Sequence, residues 1–203
     1  MGDFDYIIVG GGSSGATLAG RLTADPSVKV LLLEAGPSDR SFKIKVPLGY
    51  GSLFYDQKFN WKYETEPEPE LKGRRMYWPR GKVLGGSSAI NAMVYVRGHP
   101  NDYEEWADVA PSWNWSNVEP YFKKIESWKG EDSPVRGKSG PVGISNVEND
   151  VHPLTNKYLE AGQELGFPHN KDYNGNHMEG VAVYQTTTYN GLRVSSASAY
   201  IAK

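Results

Sequence analysis

The chain contains no cysteine. Disulfides, thiolate catalysis and cysteine-ligated metals are therefore excluded, and nothing suggests a small secreted domain held by cross-links. It also lacks a basic block: 22 Lys and Arg stand against 24 Asp and Glu, for a formal charge of −2. Binding to a phosphate backbone needs clustered cations, so nucleic acid is not expected as a partner. No apolar run approaches the roughly 20 residues of a membrane helix. An apolar strand begins within a few residues of Met1, which leaves no room for a signal or transit peptide at this end. The expectation is a cytoplasmic protein, with peripheral contact at the inner face of a membrane left open. The histidines His99, His152, His169 and His177 show neither i,i+4 nor HExxH spacing, so no metal site is expected.

What is present is ordinary globular composition, 38% hydrophobic and 23% charged over 203 residues, enough for a real core. Asp5–Glu34 (DYIIVGGGSSGATLAGRLTADPSVKVLLLE) is the most informative stretch. An apolar strand (Tyr6–Val9) runs into Gly10-x-Gly12-x-x-Gly15. A small-residue helix with Ala16, Ala19 and Gly20 follows, then a second apolar strand (Val28–Leu33) that ends in Glu34. This is a βαβ unit with a dinucleotide fingerprint in its required context. Gly10 permits the tight turn, Gly12 lets backbone approach a pyrophosphate, and Gly15 lets the helix pack closely. The helix N-terminus offers free N–H groups to phosphates. Glu34, nineteen residues past Gly15, is placed to accept hydrogen bonds from an adenosine ribose and to repel a 2′-phosphate, which disfavours NADP.

Beyond Ala35-Gly36-Pro37 the pattern is irregular through Leu71, with the acidic, proline-broken run Glu64–Glu70 read as a solvated loop. A helix is expected over about Asn101–Ala110. Another is expected from Ser116, with Glu119 closing a capping box and Val118, Phe122 and Ile125 on one face. Pro141–Val147 reads as a strand. Pro153–Gly166 reads as a helix with Leu154, Tyr158, Ala161 and Leu165 on its apolar face and Gly166 as its stop. Val181–Tyr189 reads as a strand rich in β-branched residues. Trp106, Trp113, Trp115 and Trp128 read as packing residues, and Asp172–Gly175 (DYNG) as a turn.

A second glycine segment, Pro79–Ala92 (PRGKVLGGSSAINA), combines Gly85-Gly86 with the hydrogen-bonding Ser87, Ser88 and Asn91. Gly85-Gly86 would let backbone press against a flat or phosphorylated ligand; a glycine turn capped by serines explains the composition equally well.

Together the two segments resemble the glucose–methanol–choline (GMC) flavoprotein oxidoreductases. The resemblance rests on DYIIVGGGSSG, LLLEAG, WPRGKVLGGSSAINAMVYVRGH and the Asp102, Tyr103 and Trp106 of DY-x-x-W. It continues through SGPVGIS, DYNG and GLRVSSASAY, and so spans the chain. It is nearest the alcohol and choline dehydrogenase branch. It implies an α/β fold: a Rossmann-type FAD-binding domain with a parallel sheet, over residues 1–140 and including the lid and the flavin-covering loop. Residues 141–203 would begin an incomplete α+β substrate domain with an antiparallel sheet. The resemblance implies FAD rather than NAD. It assigns Gly10, Gly12, Ser13, Ser14 and Gly15 to the pyrophosphate, Glu34 to the ribose and Ala35 to the adenosine. It assigns Arg80, Gly81, Val83, Gly85, Gly86 and Ser87 to the segment covering the diphosphate and flavin. The backbone of Asn91, Ala92, Met93 and Val94 would run along the isoalloxazine. Relatives that bind flavin covalently carry a histidine where this chain has Ile90, so the FAD is expected to be non-covalent.

The activity implied is oxidation of a primary alcohol by hydride transfer to flavin N5, with a small-molecule alcohol as substrate. Hydroxynitrile lyases and fatty-acid photodecarboxylases share this N-terminal half and remain an alternative, as does a non-catalytic nucleotide-binding module. The catalytic histidine and its partner, and the family's second signature, have no counterpart here. They are expected beyond Lys203, in the remainder of the same polypeptide, and GLRVSSASAY reads as strand-like with no closing helix.

Overall fold

The computed structural model describes residues 3–201. In chain order the elements are β1 (Tyr6–Val9), α1 (Ser13–Leu22), β2 (Val30–Leu33), α2 (Phe42–Lys45), α3 (Tyr50–Leu53), β3 (Tyr63–Glu64), β4 (Tyr77–Trp78), α4 (Pro100–Ala107), α5 (Trp115–Ile125), β5 (Glu126–Trp128), β6 (Val142–Ile144), α6 (Pro153–Glu164), β7 (Thr188–Tyr189), β8 (Leu192–Arg193) and α7 (Ser196–Tyr200). They form two compact units. One holds the residues up to Met93 together with those from Tyr189 onward, the other Val94–Thr188. The boundary expected at 140/141 thus runs inside the second unit, between the paired strands β5 and β6. No helix among the described residues is long and apolar enough to cross a membrane.

In the first unit β1 and β2 pair in parallel, Tyr6 with Val30 through Val9 with Leu33, and α1 connects them, as the βαβ pattern requires. The small residues of α1 make this compact. Ala16 and Ala19 are buried, and a Cβ at Gly20 would lie 2.4 Å from the Tyr200 carbonyl oxygen on α7. The irregular region after Glu34 is less formless than its sequence suggests. Short helices α2 and α3 deliver Ile44 and Leu53 to a core completed by Phe59, Val83, Ala89 and Ile90. Each of these side chains larger than alanine contributes roughly 1.5–3 kcal/mol of burial. The run Glu64–Glu70 is largely exposed as read, but Glu64 closes β3 and Glu68 bridges Arg74. The expectation of a strand-like ending fails: after β8, Ser195 caps α7 through a reciprocal hydrogen-bond pair with Ser198, and the chain turns helical.

The second unit departs further from the pattern. α5 starts one residue before Ser116. Asn114 is its cap, accepting the Asn117 amide at 3.0 Å, while the Ser116 hydroxyl only donates to Asn114. Glu119 pairs instead with Lys123 at 3.1 Å, one turn on. α4 and α6 both open on a His-Pro pair, and His99 and His152 cap them by accepting backbone amides at Nδ1. On α6 the expected apolar face is wrong: Leu154, Tyr158 and Leu165 are exposed and Leu159 is buried. Gly162 permits this, because a Cβ there would meet Val181 at 2.5 Å. Gly166, at φ 92°, ends the helix as read. Val181–Tyr189 is a strand only at its end. The backbone groups of Val181, Gln185 and Thr186 go to separate partners, Pro168 and Asn170, Tyr95 and the Tyr173 hydroxyl, and Ser145, in place of one continuous ladder. Tyr103, Trp106, Trp113, Trp115 and Phe122 form one aromatic cluster of edge-to-face and tilted pairs.

The centre of this unit is ionic. Glu126, fully buried on β5, accepts from Arg97, from Arg136 at 2.9 and 3.1 Å, and from the Gly137 amide at 2.6 Å. Arg136 also reaches Asp172 and Gln185. The DYNG segment is the turn that was read: Gly175 N–H donates to the Asp172 carbonyl at 2.9 Å. Its Asn174 side chain accepts the Arg97 amide at 2.8 Å and completes the network.

Candidate functional site: two glycine segments joined backbone to backbone

The first glycine segment is shaped by three separate constraints. Gly10 has φ 98°, a conformation that side chains resist, and a Cβ there would meet nothing. Gly15 has no such torsion, but a Cβ would lie 1.9 Å from the Gly10 carbonyl oxygen, so its smallness closes the helix onto the turn. Gly12 has neither need. Its φ is −74°, and a Cβ would meet only Gly86 Cα at 4.0 Å, an ordinary contact. Among the described residues nothing demands glycine there. Its lack of a side chain leaves the backbone at this helix start open to an approaching group, the arrangement that phosphates favour.

The same helix start carries unpaired donors. The first bond of α1 runs from Ala16 N–H to the Gly12 carbonyl, so the amides of Ser13, Ser14 and Gly15 have no acceptor inside the helix. Ser13 and Ser14 are exposed, and the first turn holds no acidic residue to compete with an anion.

Glu34 is more occupied than its position suggests. Its two oxygens accept the Gly11 amide at 2.7 Å and the Gly36 amide at 2.8 Å. A carboxylate has about four lone-pair directions, so two remain for ribose hydroxyls. Ala35 beside it is exposed.

The second glycine segment lies against the first. Gly85 N–H donates to the Gly11 carbonyl at 2.7 Å, and a Cβ on Gly86 would sit 2.8 Å from Gly12 Cα. Gly85 and Gly86 both have positive φ, 93° and 54°. Gly81 packs on Gly86, where a Cβ would come within 2.2 Å of the carbonyl carbon, and its amide donates to the exposed Ser87 hydroxyl at 3.1 Å. Arg80 is exposed, with its guanidinium 5.2 Å from the Trp78 ring centre and its amide held by Asn60 at 3.0 Å. Val83 is the exception among the expected site residues: its side chain is fully buried in the core, and only its backbone is available to a ligand. Asn91 and Ala92 are exposed. Met93 is buried, with a left-handed backbone at φ 65° that non-glycine residues adopt at a cost. Val94 belongs to the second unit, where it bridges Thr186.

Sequence reasoning missed the clamp beneath this loop. Ser88 Oγ accepts the Ser196 amide at 2.9 Å and donates to the Gly85 carbonyl at 2.6 Å. The buried Arg193 side chain donates to the Ile44 carbonyl at 2.9 Å and to Asn91 Oδ1 at 2.8 Å. The signal was GLRVSSASAY itself, but partners about a hundred residues away are not visible in a local pattern. The second unit carries a cleft of about 1180 Å³ near Trp128, His169 and Asp172, and none of the expected site residues lines it.

Known proteins resemble this chain in sequence and in fold. The chain is 46% identical to the alcohol dehydrogenase [acceptor] of Pseudomonas putida over 200 residues, 98% of this chain and 36% of that protein. It is 44% identical to the mitochondrial choline dehydrogenase of Homo sapiens, over 98% of this chain and 35% of that one. Among solved structures, pyridoxine 4-oxidase from Mesorbium loti superposes with a TM-score of 0.92 at 37% identity, covering 98% of this chain and 39% of that one. A variant of formate oxidase from Aspergillus oryzae, described for its FAD modification, gives 0.87 at 31%, covering 98% and 36%. The chain thus spans about 36% of the length of the relatives it matches. The GMC oxidoreductase family model matches residues 4–203, and the chain belongs to that family.

Proposed function

We propose that this chain is the N-terminal, cofactor-holding part of an FAD-dependent oxidoreductase that oxidises a primary alcohol, with the FAD held non-covalently. The observation that carries the reading is Gly12, a glycine that the protein's own packing does not require, at a helix start with free amides. The relatives named as alcohol and choline dehydrogenases support the substrate class.

In this reading the amides of Ser13, Ser14 and Gly15 hold the pyrophosphate, with Gly10 and Gly12 clearing the approach. Glu34 takes the ribose with its remaining lone pairs, and Ala35 lies beside the adenosine. Arg80, Gly81, Gly85, Gly86 and Ser87, with the backbone of Val83, cover the diphosphate and flavin. Asn91, Ala92 and Met93 run along the ring. Bound there, FAD would supply the hydride acceptor, its N5, for oxidation of the alcohol's carbinol carbon. Ile90 is buried and carries no nucleophile, so the ring stays unlinked there. His99 and His152 are committed to helix caps through Nδ1, and His169 Nε2 lies 3.0 Å from Glu148. The proton-accepting base is assigned to the remainder of the polypeptide, where the family resemblance puts it. The same remainder would cover the apolar side chains of Ile7 and Val9, which β1 leaves exposed.

The test uses the full-length protein under anaerobic conditions with a panel of primary alcohols that includes choline. Bleaching of the flavin band on mixing is expected. If no alcohol bleaches it, the oxidoreductase reading fails. Cleavage of a cyanohydrin, or light-driven alkane release from a fatty acid, would then identify a non-redox activity on the same scaffold.

A further inference from the structure

Arg193 is 3% exposed, yet among the described residues no ion pair involves it. Its Nε donates to the Ile44 carbonyl at 2.9 Å, and Nη1 donates to Asn91 Oδ1 at 2.8 Å and to the Ser88 carbonyl at 3.3 Å. Its Nη2 is buried without a hydrogen-bond partner. Burial lowers the guanidinium pKa to about 10, which still leaves it cationic at neutral pH. A buried charge with no counter-ion is costly. Among the described residues its hydrogen bonds all go to carbonyl or amide oxygens, and the one side chain among those acceptors is Asn91.

Asn91 shows what that contact does. Its Oδ1 accepts both Arg193 Nη1 and the Met93 amide, the latter at 3.1 Å. Two donors aimed at one atom identify that atom as oxygen, so the amide cannot flip. Nδ2 then carries both its hydrogens away from Arg193, on an exposed residue and with no acceptor among the described residues. Met93, the next anchor, is the residue held at φ 65°.

We propose that Arg193 is a positioning residue for the flavin: it locks the Asn91 amide so that Nδ2 is presented as a hydrogen-bond donor to an acceptor atom of the isoalloxazine ring. This rests on the FAD reading above. A fixed donor favours the reduced ring, which carries more negative charge than the oxidised one, and so tunes the cofactor's electronics as well as its seat.

The experiment measures the two-electron potential and the FAD dissociation constant in full-length protein. The variants are Asn91→Ala, Arg193→Met, Arg193→Lys and the double substitution Asn91→Ala with Arg193→Met. Asn91 is exposed, so Asn91→Ala tests the proposal even if Arg193→Met fails to fold. In Asn91→Ala the preference for reduced over oxidised FAD is expected to fall about tenfold, a drop of about 30 mV for a two-electron couple. Arg193→Met lowers the potential in the same direction. Arg193→Lys, which can still donate, falls between Arg193→Met and the wild type. Adding Arg193→Met to Asn91→Ala moves the potential no further, because the arginine acts through the amide. An unchanged potential in Asn91→Ala, or additive drops in the double variant, overturns the inference while the FAD reading stands. Wild-type protein that purifies without flavin and takes none up overturns both.

Discussion

Glu34, at the end of β2, accepts the Gly11 amide at 2.7 Å, so the carboxylate that would meet a ribose also holds the fingerprint turn in place. With Gly36 on its other oxygen, Glu34 ties the turn after β1 to the turn after β2.

Substitution of Glu34 is therefore expected to act in two ways. Glu34→Ala should weaken FAD binding by about 1.5–3 kcal/mol, the range for hydrogen bonds to a charged group. Glu34→Gln should not rescue it, because the amide NH2 would face one of the two backbone donors and leave it unpartnered, at about 1–3 kcal/mol. FAD titration of apoprotein measures the first effect, and the apoprotein unfolding midpoint the second. Turnover of FAD-saturated Glu34→Ala should stay near wild type; a large fall would place Glu34 at the reacting end of the cofactor.

The two glycines Gly12 and Gly15 should separate cleanly. A Cβ at Gly12 meets only an ordinary contact, so Gly12→Ala apoprotein should melt within about 0.5 kcal/mol of wild type. It should nonetheless bind FAD poorly, and Gly12→Val should not bind it. Gly15→Ala forces a Cβ to 1.9 Å from the Gly10 carbonyl and should destabilise the apoprotein by about 1–3 kcal/mol or more. Equal melting of the two apoproteins would undo the distinction between a glycine kept for packing and one kept for a ligand.

Acid precipitation of the holoprotein should leave a colourless pellet and yellow supernatant, because Ile90 is buried in the core and has no nucleophile. Flavin that stays with the pellet would require a covalent link at another residue.

Glu126→Ala should be among the most destabilising single changes in the second unit. It strands Arg97 and Arg136, both nearly fully buried, without their shared carboxylate. Breaking a buried pair from one side costs about 3–5 kcal/mol. Urea unfolding followed through Trp128, whose ring lies 4.0 Å from the Arg136 guanidinium, reads that loss directly. A midpoint within error of wild type would show that the network contributes nothing.

The parts of the fold that were legible depend on short windows of sequence. The order β1-α1-β2, the turn at Gly10, the Gly166 stop and the DYNG turn each follow from a residue's own torsional range or from a pattern within one element. The cap of α5 was misread because Asn114 and Ser116 are both good capping residues and the choice between them turned on which turn came first. The buried face of α6 was misread because periodicity marks which residues are apolar and not which neighbour covers them; Gly162 against Val181 decided it. Val181–Tyr189 has strand composition, but its backbone found several separate partners in place of one continuous ladder.

Sequence alone determined that a dinucleotide-type βαβ unit begins this chain, that Ile90 has no nucleophile to bond to flavin, and that these 203 residues supply no thiol. Those statements need only residue identities and spacing. Tertiary structure alone decided that Gly12 is free while Gly15 is packed, that Glu34 holds the turn it was expected to serve, and that Arg193 sets the Asn91 amide. Each of these is a contact between groups that the chain brings together only on folding. Local torsions and periods are properties of neighbours in sequence. Hydrogen-bond partners and steric clearances are properties of neighbours in space.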